Sequence, residues 1–216
     1  MRKCLLVMSV IFIASSVYAL DVEEVLKKVD ENFYYAKKEG IKDLSVKMKF
    51  KGEKEFLGNI EAQYYWKHPE LEKIELKNLP KEKKAEEDKI LRIIKGRADA
   101  ILPTPMTESF KKYDTTATQD GEFIRIEGRS KDLTEYVQSY TIWVGKDNQV
   151  PKIEVAGEYF TGRSKITYEQ KKGKWLPKEI DAETIAGPAA TRTLTSIDYT
   201  DVKGFRLLSR YITAIK

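Results

Sequence analysis

The chain has 216 residues, of which 41% are apolar and 34% are charged, and its formal net charge is +5. This length and apolar content are sufficient for one sizeable core and favour a single domain. Nucleic-acid binding needs a concentrated basic face, whereas the 39 basic residues here are interspersed with 34 acidic ones. The composition therefore argues against a nucleic-acid partner.

The first nineteen residues have the pattern of a secretory signal peptide. The basic residues Arg2 and Lys3 are followed by an apolar core over residues 5–13. The motif Val17-Tyr18-Ala19 then predicts cleavage between Ala19 and Leu20. The apolar run is too short for a permanent membrane anchor, so we expect export and no transmembrane segment in the mature chain. Cys4 would leave with this leader, which excludes a thiolate nucleophile, a thiolate metal site and a disulfide. A buried amino-terminal helix is the alternative interpretation.

The mature chain, residues 20–216, begins with the pattern of an amphipathic helix. Apolar residues recur at helical spacing from Val22 to Phe33. Asp21 is the predicted N-cap and Gly40 the predicted stop. We therefore expect a helix from Asp21 to about Lys38.

Two strands and a corner follow this helix. Residues 44–51 and 56–66 alternate between apolar and polar side chains, which predicts an antiparallel hairpin with one apolar face. His68 and Pro69 end the second strand, because proline donates no hydrogen bond to a ladder. A short strand then runs to Leu76. His68 is the only histidine of the chain, and its place at a corner favours a surface or hydrogen-bonding role over that of a catalytic base.

Residues 81–96 are rich in lysine and glutamate and predict a charged surface helix with a narrow apolar edge. A solvated helix that packs by this edge is the simpler interpretation, and a lid over the mouth of a pocket is the functional one. Another short helix is predicted over residues 106–113.

From Thr115 onward the pattern consists of strands and tight turns. Alternating apolar residues are separated by turn motifs such as Lys172-Gly173, which predicts an antiparallel meander with one buried face. Residues 204–216 are predicted to form the last strand, with a docking tail as the alternative. The fold class that follows is α+β, in one domain.

Motifs for catalysis, nucleotides or metals are missing from the sequence. The chain contains no Gly-rich loop that opens a helix, no G-x-S-x-G and no H-E-x-x-H. Ser-His-Asp chemistry could involve only His68. Carboxylate pairs such as Glu70 and Glu72 are typical of a solvated face in a chain this rich in charge. We therefore predict no catalytic residue, no metal site, no cofactor and no enzymatic activity.

The apolar strand faces indicate a binding site instead. An apolar sheet face needs a helix, a second sheet or a ligand against it. Either the helices close this core completely or the face lines a cavity for an acyl chain, and patterning does not separate the two. The predicted inward-facing residues are Met48, Phe50, Ile60, Tyr64, Trp66, Ile74, Tyr140, Ile142, Ile153, Val155 and Tyr168.

Two motifs have counterparts in a known family. The corner Tyr64-Tyr65-Trp66-Lys67-His68-Pro69-Glu70-Leu71 ends the second predicted strand, and YTIWVGKD over residues 140–147 forms a strand and turn. Together with the order of elements, these motifs resemble the LolA/LolB-like group of periplasmic carriers of outer-membrane lipoproteins. The resemblance covers the mature chain in outline. It implies a strongly curved, unclosed antiparallel sheet, a half-barrel, whose concave face is covered by helices around a cavity for acyl chains.

The resemblance also implies a function in the periplasm. The protein would bind acyl chains of lipoproteins or lipids and move them toward the outer membrane, as a monomer that meets inner- and outer-membrane partner proteins. The carriers typically have arginine before the corner proline, and this chain has His68, which is mostly uncharged near neutral pH. A conformational switch at His68 and Pro69 would therefore differ here. The charged segment 77–96 also replaces an aromatic strand of the carriers.

Two other functions remain open at this point. A regulatory or sensing module of the same fold would bind a protein partner and have no enzymatic activity. An exported hydrolase would need His68 or a carboxylate pair.

Overall fold

The computed structural model describes residues 20–51, 58–69, 71–132 and 134–216 of the protein. The predicted leader, with Ala19 at its cleavage site, lies outside these residues, and so do Phe56 and Glu70. The α-helices are α1 (Val22–Asn32), α2 (Glu87–Asp99) and α3 (Met106–Ser109). No helix in the described segments combines the length and the apolarity that crossing a membrane requires.

α1 begins where the sequence predicts. The Asp21 carboxylate accepts hydrogen bonds from the backbone N–H groups of Glu23 (2.9 Å) and Glu24 (3.3 Å). These bonds satisfy two of the donors that lack a partner in the first turn of a helix. Asp21 is therefore the N-cap.

α1 ends earlier than the sequence predicts. The helix stops at Asn32 instead of about Lys38, because Phe33 is extended and forms a parallel bridge with Trp175. Gly40 lies in a turn with a φ of 94° and does not end a helix. A contact between distant parts of the chain thus overrides the local helical pattern.

The other two helices are each joined to a 3-10 turn. Lys81–Glu86 is a 3-10 helix that leads into α2. Phe110–Lys112 is a 3-10 helix that follows α3. The predicted helices over residues 81–96 and 106–113 are thus present, but each is only partly α-helical.

The first three strands form one antiparallel sheet, the small sheet. Its order is β1 (Asp43–Lys49), β2 (Glu61–Lys67) and β3 (Leu71–Leu76). The register pairs Tyr64 with Val46 on one side and with Ile74 on the other, so apolar side chains from all three strands share one face. The predicted alternation is confirmed in β2, where Ala62, Tyr64 and Trp66 are buried.

The remaining strands form the large sheet, in which every strand pairs with its neighbours in sequence. This sheet is antiparallel throughout, and its two edge strands do not pair with each other in the described part of the chain, so it is unclosed. The predicted meander and the predicted last strand are confirmed. The strands are β4 (Tyr113–Asp120), β5 (Phe123–Ser130), β6 (Ser139–Val144), β7 (Lys152–Ala156), β8 (Phe160–Lys171), β9 (Lys174–Ala186), β10 (Ala189–Val202) and β11 (Phe205–Ile215).

The described strands are divided between two sheets, whereas the sequence predicted one. Alternation specifies which side chains of a strand share a face. It does not specify whether the hairpin of β1 and β2 pairs with a strand far away in the sequence. The α+β class and the antiparallel arrangement are nevertheless as predicted.

Each sheet has its own apolar cluster. The small-sheet cluster joins the small sheet to α2 and β11, and its buried members are Ala36, Ile41, Met48, Ile60, Ala62, Tyr64, Trp66, Ile90, Ile94, Ala98, Ile101, Leu102 and Leu207. The large-sheet cluster joins the large sheet to α1 and the turn after α3. Its buried members are Val25, Leu26, Val29, Phe33, Tyr35, Phe110, Ile126, Ile142, Val144 and Val150.

Candidate functional site

Six of the predicted inward-facing residues meet in the small-sheet cluster. β1 supplies Met48 and β2 supplies Tyr64 and Trp66, while Ile60 lies just before β2. These four side chains are buried, and Tyr64 and Ile60 are among the largest fully buried side chains of the described chain. Two more of the predicted residues, Phe50 and Ile74, pack against this cluster and are partly buried.

α2 covers the small-sheet cluster with one narrow row of apolar side chains. Its buried side chains are Ile90, Ile94 and Ala98, which are spaced by four residues and therefore lie on the same side of the helix. The side chain of Arg92, between them in sequence, is exposed. The predicted apolar edge of this charged helix is therefore confirmed, and it lies directly against the predicted site residues.

Glu72 of β3 connects the site to α2. One carboxylate oxygen accepts a hydrogen bond from the Tyr64 hydroxyl at 3.3 Å, and the other contacts the Lys95 ammonium at 2.8 Å. We call these contacts the Glu72 bridge. Burial, together with the negative charge of Glu72, raises the pKa of the Tyr64 hydroxyl. Tyr64 therefore stays protonated and continues to donate to Glu72 at neutral pH.

The predicted corner lies beside this site but is exposed. The ring of His68 is 6.3 Å from the ring of Trp66, and its backbone N–H donates to the Lys42 carbonyl at 2.9 Å. The peptide bond between His68 and Pro69 is cis. Since the His68 side chain is solvent-exposed, the corner forms the rim of the small-sheet cluster and is not part of its interior.

The structure does not bring the other predicted residues into the same place. Ile142, Tyr140, Ile153 and Tyr168 belong to the large-sheet cluster under α1, where Ile142 is buried and the other three are partly buried. Val155 lies opposite Gly162 in the sheet and is in neither cluster. Ten of the eleven predicted residues are thus divided between two packed interiors, and Val155 lies outside both.

A buried carboxylate that was not singled out from the sequence holds α1 in place. Asp30 accepts hydrogen bonds from the Tyr35 hydroxyl (2.7 Å), the Met106 N–H (2.8 Å), and both the N–H (3.1 Å) and the hydroxyl (2.6 Å) of Thr107. Its side chain is also 3.9 Å from Lys38. We call this group the Asp30 network.

The Asp30 network fixes two helices relative to each other. Met106 and Thr107 open α3, so the carboxylate takes up N–H groups that have no partner within that helix. Burial and the bond to Asp30 raise the pKa of Tyr35. The sequence did contain a signal for this role, because Asp30 lies four residues after Leu26 and hence at the edge of the apolar stripe of α1.

Two cavities lie on the polar face of the large sheet. One has a volume of about 380 Å³ and the other about 470 Å³. Lys152 and Glu154 contribute to this face, whereas Ile153 between them points toward α1. The lining of the two cavities includes Thr141, Glu154, Arg163, Lys165, Asp181, Glu183, Ile185 and Arg192.

Both arginines in these cavities are paired with carboxylates. Arg192 makes two bonds to Asp181, at 3.0 and 2.6 Å, and this guanidinium lowers the pKa of the Asp181 carboxyl. Arg163 makes one contact with Glu183, its partner directly across β8 and β9. These arrangements are typical of a solvated strand face with alternating charges. In the described segments, His, Cys, Asp and Glu do not form a group of three or more that could hold a metal ion.

The geometry therefore singles out the small-sheet cluster and its helical cover as the candidate site. Comparisons of the chain with protein families, with curated proteins and with solved structures return no match.

Proposed function

We propose that the protein is an exported carrier, acting in the periplasm, that binds acyl chains of lipids or lipoproteins and moves them toward the outer membrane. The acyl chain would lie against Tyr64, Trp66 and their neighbours in the small-sheet cluster. The observation that carries this proposal is the narrow apolar edge of α2, which covers that cluster. The exchange of α2 for an acyl chain is the central step.

Burial energies support such an exchange. Burying two isoleucine side chains stabilises the closed position of α2 by about 3–6 kcal/mol. Burial of an acyl chain contributes about 0.8 kcal/mol per methylene. Burial of roughly eight methylenes therefore offsets the free energy that is lost when Ile90 and Ile94 leave the cluster. The acyl chains of membrane lipids contain more methylenes than that.

The finer architecture belongs to the same proposal. The two sheets would together form the strongly curved half-barrel, with α1 and α2 covering its concave face. His68 and Pro69 at the rim would take part in the movement that releases α2.

Lipid retention is the first test. The full-length precursor is expressed with its leader, recovered from the exported fraction, and examined by native mass spectrometry. We expect species heavier than the bare mature polypeptide by the mass of a lipid, and displacement of a bound apolar dye by fatty acid. A bare polypeptide together with no dye displacement would contradict the proposal.

A brominated fatty acid tests the place of binding. Bromine quenches nearby tryptophan fluorescence, and Trp66 lies in the proposed site, whereas Trp143 lies over Lys152 at 3.7 Å. We expect the Trp66→Phe variant to lose most of the quenching and the matched Trp143→Phe variant to keep it. Equal quenching in both variants would place the acyl chain elsewhere.

The polar cavities favour a second candidate, a non-enzymatic regulatory or sensing module that binds a protein partner. Their paired charges, Arg192 with Asp181 and Arg163 with Glu183, offer both signs of charge to an extended polar segment. A partner that binds equally well to lipid-free and lipid-loaded protein would support this candidate. Loss of that binding in Arg192→Ala, with lipid retention unchanged, would assign the two activities to different faces.

A further inference from the structure

The two edge strands of the large sheet are protected to different extents. β11 is covered, because the Arg206 N–H donates to the Tyr34 hydroxyl at 2.7 Å and Leu207 is buried in the small-sheet cluster. A register shift between Asp198 and Tyr199 also interrupts the pairing of β10 with β11. Cover, charge and irregular pairing are the usual means by which a sheet edge avoids pairing with another chain.

β4, the other edge strand, lacks this protection in its middle. Residues 115–119, with the sequence TTATQ, contain no charge and no proline, and the pairing of β4 with β5 has no register shift. Charges occur only near the ends of the strand, at Asp114 and Asp120. Within the described ranges, the outer side of β4 is not paired with any strand. β4 is therefore a regular, uncharged edge that is open to another strand.

The backbone groups of β4 alternate in direction. The Lys112 carbonyl, one residue before β4, accepts a hydrogen bond from the Lys131 N–H on the β5 side at 3.1 Å. Successive residues of an antiparallel strand direct their backbone groups to opposite sides. The residues that direct their N–H and C=O groups outward are therefore Tyr113, Thr115, Ala117 and Gln119. In the part of the chain that the structure describes, these groups have no backbone partner.

β4 is held in place by the interior of the large sheet. The buried Tyr113 ring meets the Tyr140 ring edge-to-face, with the centroids 5.2 Å apart, and its centroid is 5.9 Å from that of Phe110. Ala117 packs against the large-sheet cluster. The edge is thus ordered before a partner binds, which lowers the entropy that association costs.

β4 is complementary to a second copy of itself. A two-fold axis that places Thr116 opposite Thr116 of the second copy also places Tyr113 opposite Gln119 and Thr115 opposite Ala117. Outward backbone groups then meet outward backbone groups, as an antiparallel ladder requires. Lys112 comes next to Asp120 of the second copy, which pairs opposite charges.

Other symmetric registers in phase with these groups are less favourable. A centre on Ala117 places Asp114 opposite Asp120 of the second copy, and like charges directly opposite each other are destabilising. A centre on Thr115 leaves Gln119 unpaired, because β4 begins at Tyr113. One register therefore suits both the backbone groups and the charges. Such self-complementarity is what a two-fold interface requires, and it favours a second copy over an unrelated extended segment.

We propose that two copies of the protein associate through β4, so that their large sheets become one continuous antiparallel sheet. The exposed side chains of the two Thr116 residues lie against each other at the two-fold axis. The small-sheet cluster contacts β11, at the other edge of the large sheet, so each copy keeps its own candidate acyl-chain site. The inference goes beyond the proposed function and does not depend on it.

Cysteine crosslinking tests the register on the full-length chain. Cys4 is the only cysteine, so Cys4→Ser provides a background without thiols. Adding Thr116→Cys should give a disulfide-linked dimer on mild oxidation, because Cα atoms in a non-hydrogen-bonded pair are about 4.5 Å apart and disulfides span about 4.4–6.8 Å. Thr118→Cys is the matched control, since Thr118 is exposed on the same face. Its two copies are about 13 Å apart along the strand, so this variant should run as a monomer on a non-reducing gel.

Sedimentation velocity tests the association without a crosslink. We expect the wild-type protein to change from monomer to dimer as its concentration rises through the micromolar range. Thr116→Lys should raise the dissociation constant about tenfold, because it places two ammonium groups directly opposite each other. Thr118→Lys is the matched control. It places its ammonium opposite Asp114 of the second copy, so this variant should dimerise at least as well as the wild type.

Three results would overturn the inference. One is a wild-type protein that sediments as a monomer at every concentration, as the resemblance to the carriers implies. Another is equal disulfide formation by Thr116→Cys and Thr118→Cys, which would indicate random collision. A dimer that Thr116→Lys does not weaken would place the interface elsewhere. Native mass spectrometry resolves the mass of a second copy from that of a lipid, so these outcomes are distinguishable from failure of the carrier function.

Discussion

α1 and α2 each cover an apolar sheet face, but they are held by different kinds of contact. Asp30 of α1 is buried and accepts hydrogen bonds from Tyr35, Met106 and Thr107. α2 contributes an apolar edge and a polar contact with the small sheet, the Glu72 bridge, in which the side chains of Lys95 and Glu72 are 52% and 38% exposed.

This difference decides which helix can be exchanged for a ligand. A ligand that displaced α1 would leave Asp30 and its donors without partners, and an acyl chain cannot replace hydrogen bonds. A ligand that displaced α2 would replace apolar contacts with apolar contacts. For the exchange that we propose, the comparison therefore favours α2, and not α1, as the helix that moves.

We expect the largest effect on stability when the Asp30 network is removed. Asp30→Ala should lower the free energy of unfolding by about 3–5 kcal/mol, because several buried donors lose their acceptor at once. Asp30→Asn keeps one acceptor oxygen and should cost less. Urea unfolding measures both variants, and a loss below about 1 kcal/mol in Asp30→Ala would contradict the permanent role of α1.

Two matched truncations compare the helices directly. Val29 of α1 and Ile94 of α2 are both 0% exposed, and truncation to alanine should cost about 2–4 kcal/mol where the whole fold depends on the side chain. We expect Val29→Ala to reduce global stability, and Ile94→Ala to accelerate amide hydrogen exchange mainly in α2, because α2 opens locally. If amide hydrogen exchange in the Ile94→Ala variant accelerated equally in α1 and α2, α2 would not open independently of α1.

Alkaline pH should lower the free energy of unfolding through the ionisation of Tyr113, in β4 of the large sheet. Burial raises the pKa of the Tyr113 hydroxyl to about 12, whereas an unfolded tyrosine titrates near 10. The folded state favours the neutral hydroxyl, so this contribution to stability is complete below about pH 10 and is lost as the pH rises toward 12. The urea midpoint of the wild type should therefore fall across this range. Tyr113→Phe should show a smaller fall, and an identical fall would assign the effect to other tyrosines.

The smallest expected effect on stability concerns the Glu72 bridge. Lys95→Ala removes an exposed ion pair and should change the free energy of unfolding by about 0–1 kcal/mol. It should nevertheless speed the uptake of an apolar dye, because α2 loses its polar contact with β3. Arg92→Ala, at an exposed position of the same helix, is the control and should leave dye uptake unchanged. If both variants take up dye at the wild-type rate, the bridge does not restrain α2.

Local features of the fold could be predicted because their causes are local. The capping role of Asp21 requires only the N–H groups of the next residues. The burial of Ala62, Tyr64 and Trp66 follows from a period of two, and the short turns of the meander join strands that are adjacent in sequence. These features need no knowledge of distant contacts.

The features that sequence reasoning missed depend on residues far apart in the chain. α1 ends at Asn32 because Phe33 bridges to Trp175, whose carbonyl accepts a hydrogen bond from the Tyr34 N–H at 3.1 Å. The predicted site residues Tyr64 and Ile142 have the same apolar character, yet they belong to different clusters because they lie in different sheets. The assembled structure determines which residues cover which sheet face. Five of the eleven predicted site residues therefore could not be placed from patterns alone.

The Asp30 network also bears on the order in which the chain folds. Met106 and Thr107 are 76 and 77 residues beyond Asp30 in sequence, so α1 cannot acquire these bonds until the middle of the chain is present. The strands after them pair with sequence neighbours, which keeps the entropy lost on closing each loop small. We therefore expect the meander to assemble first and to provide the surface on which α1 docks. α1 is thus synthesised before the residues that hold it, and it is among the last elements to reach its native contacts.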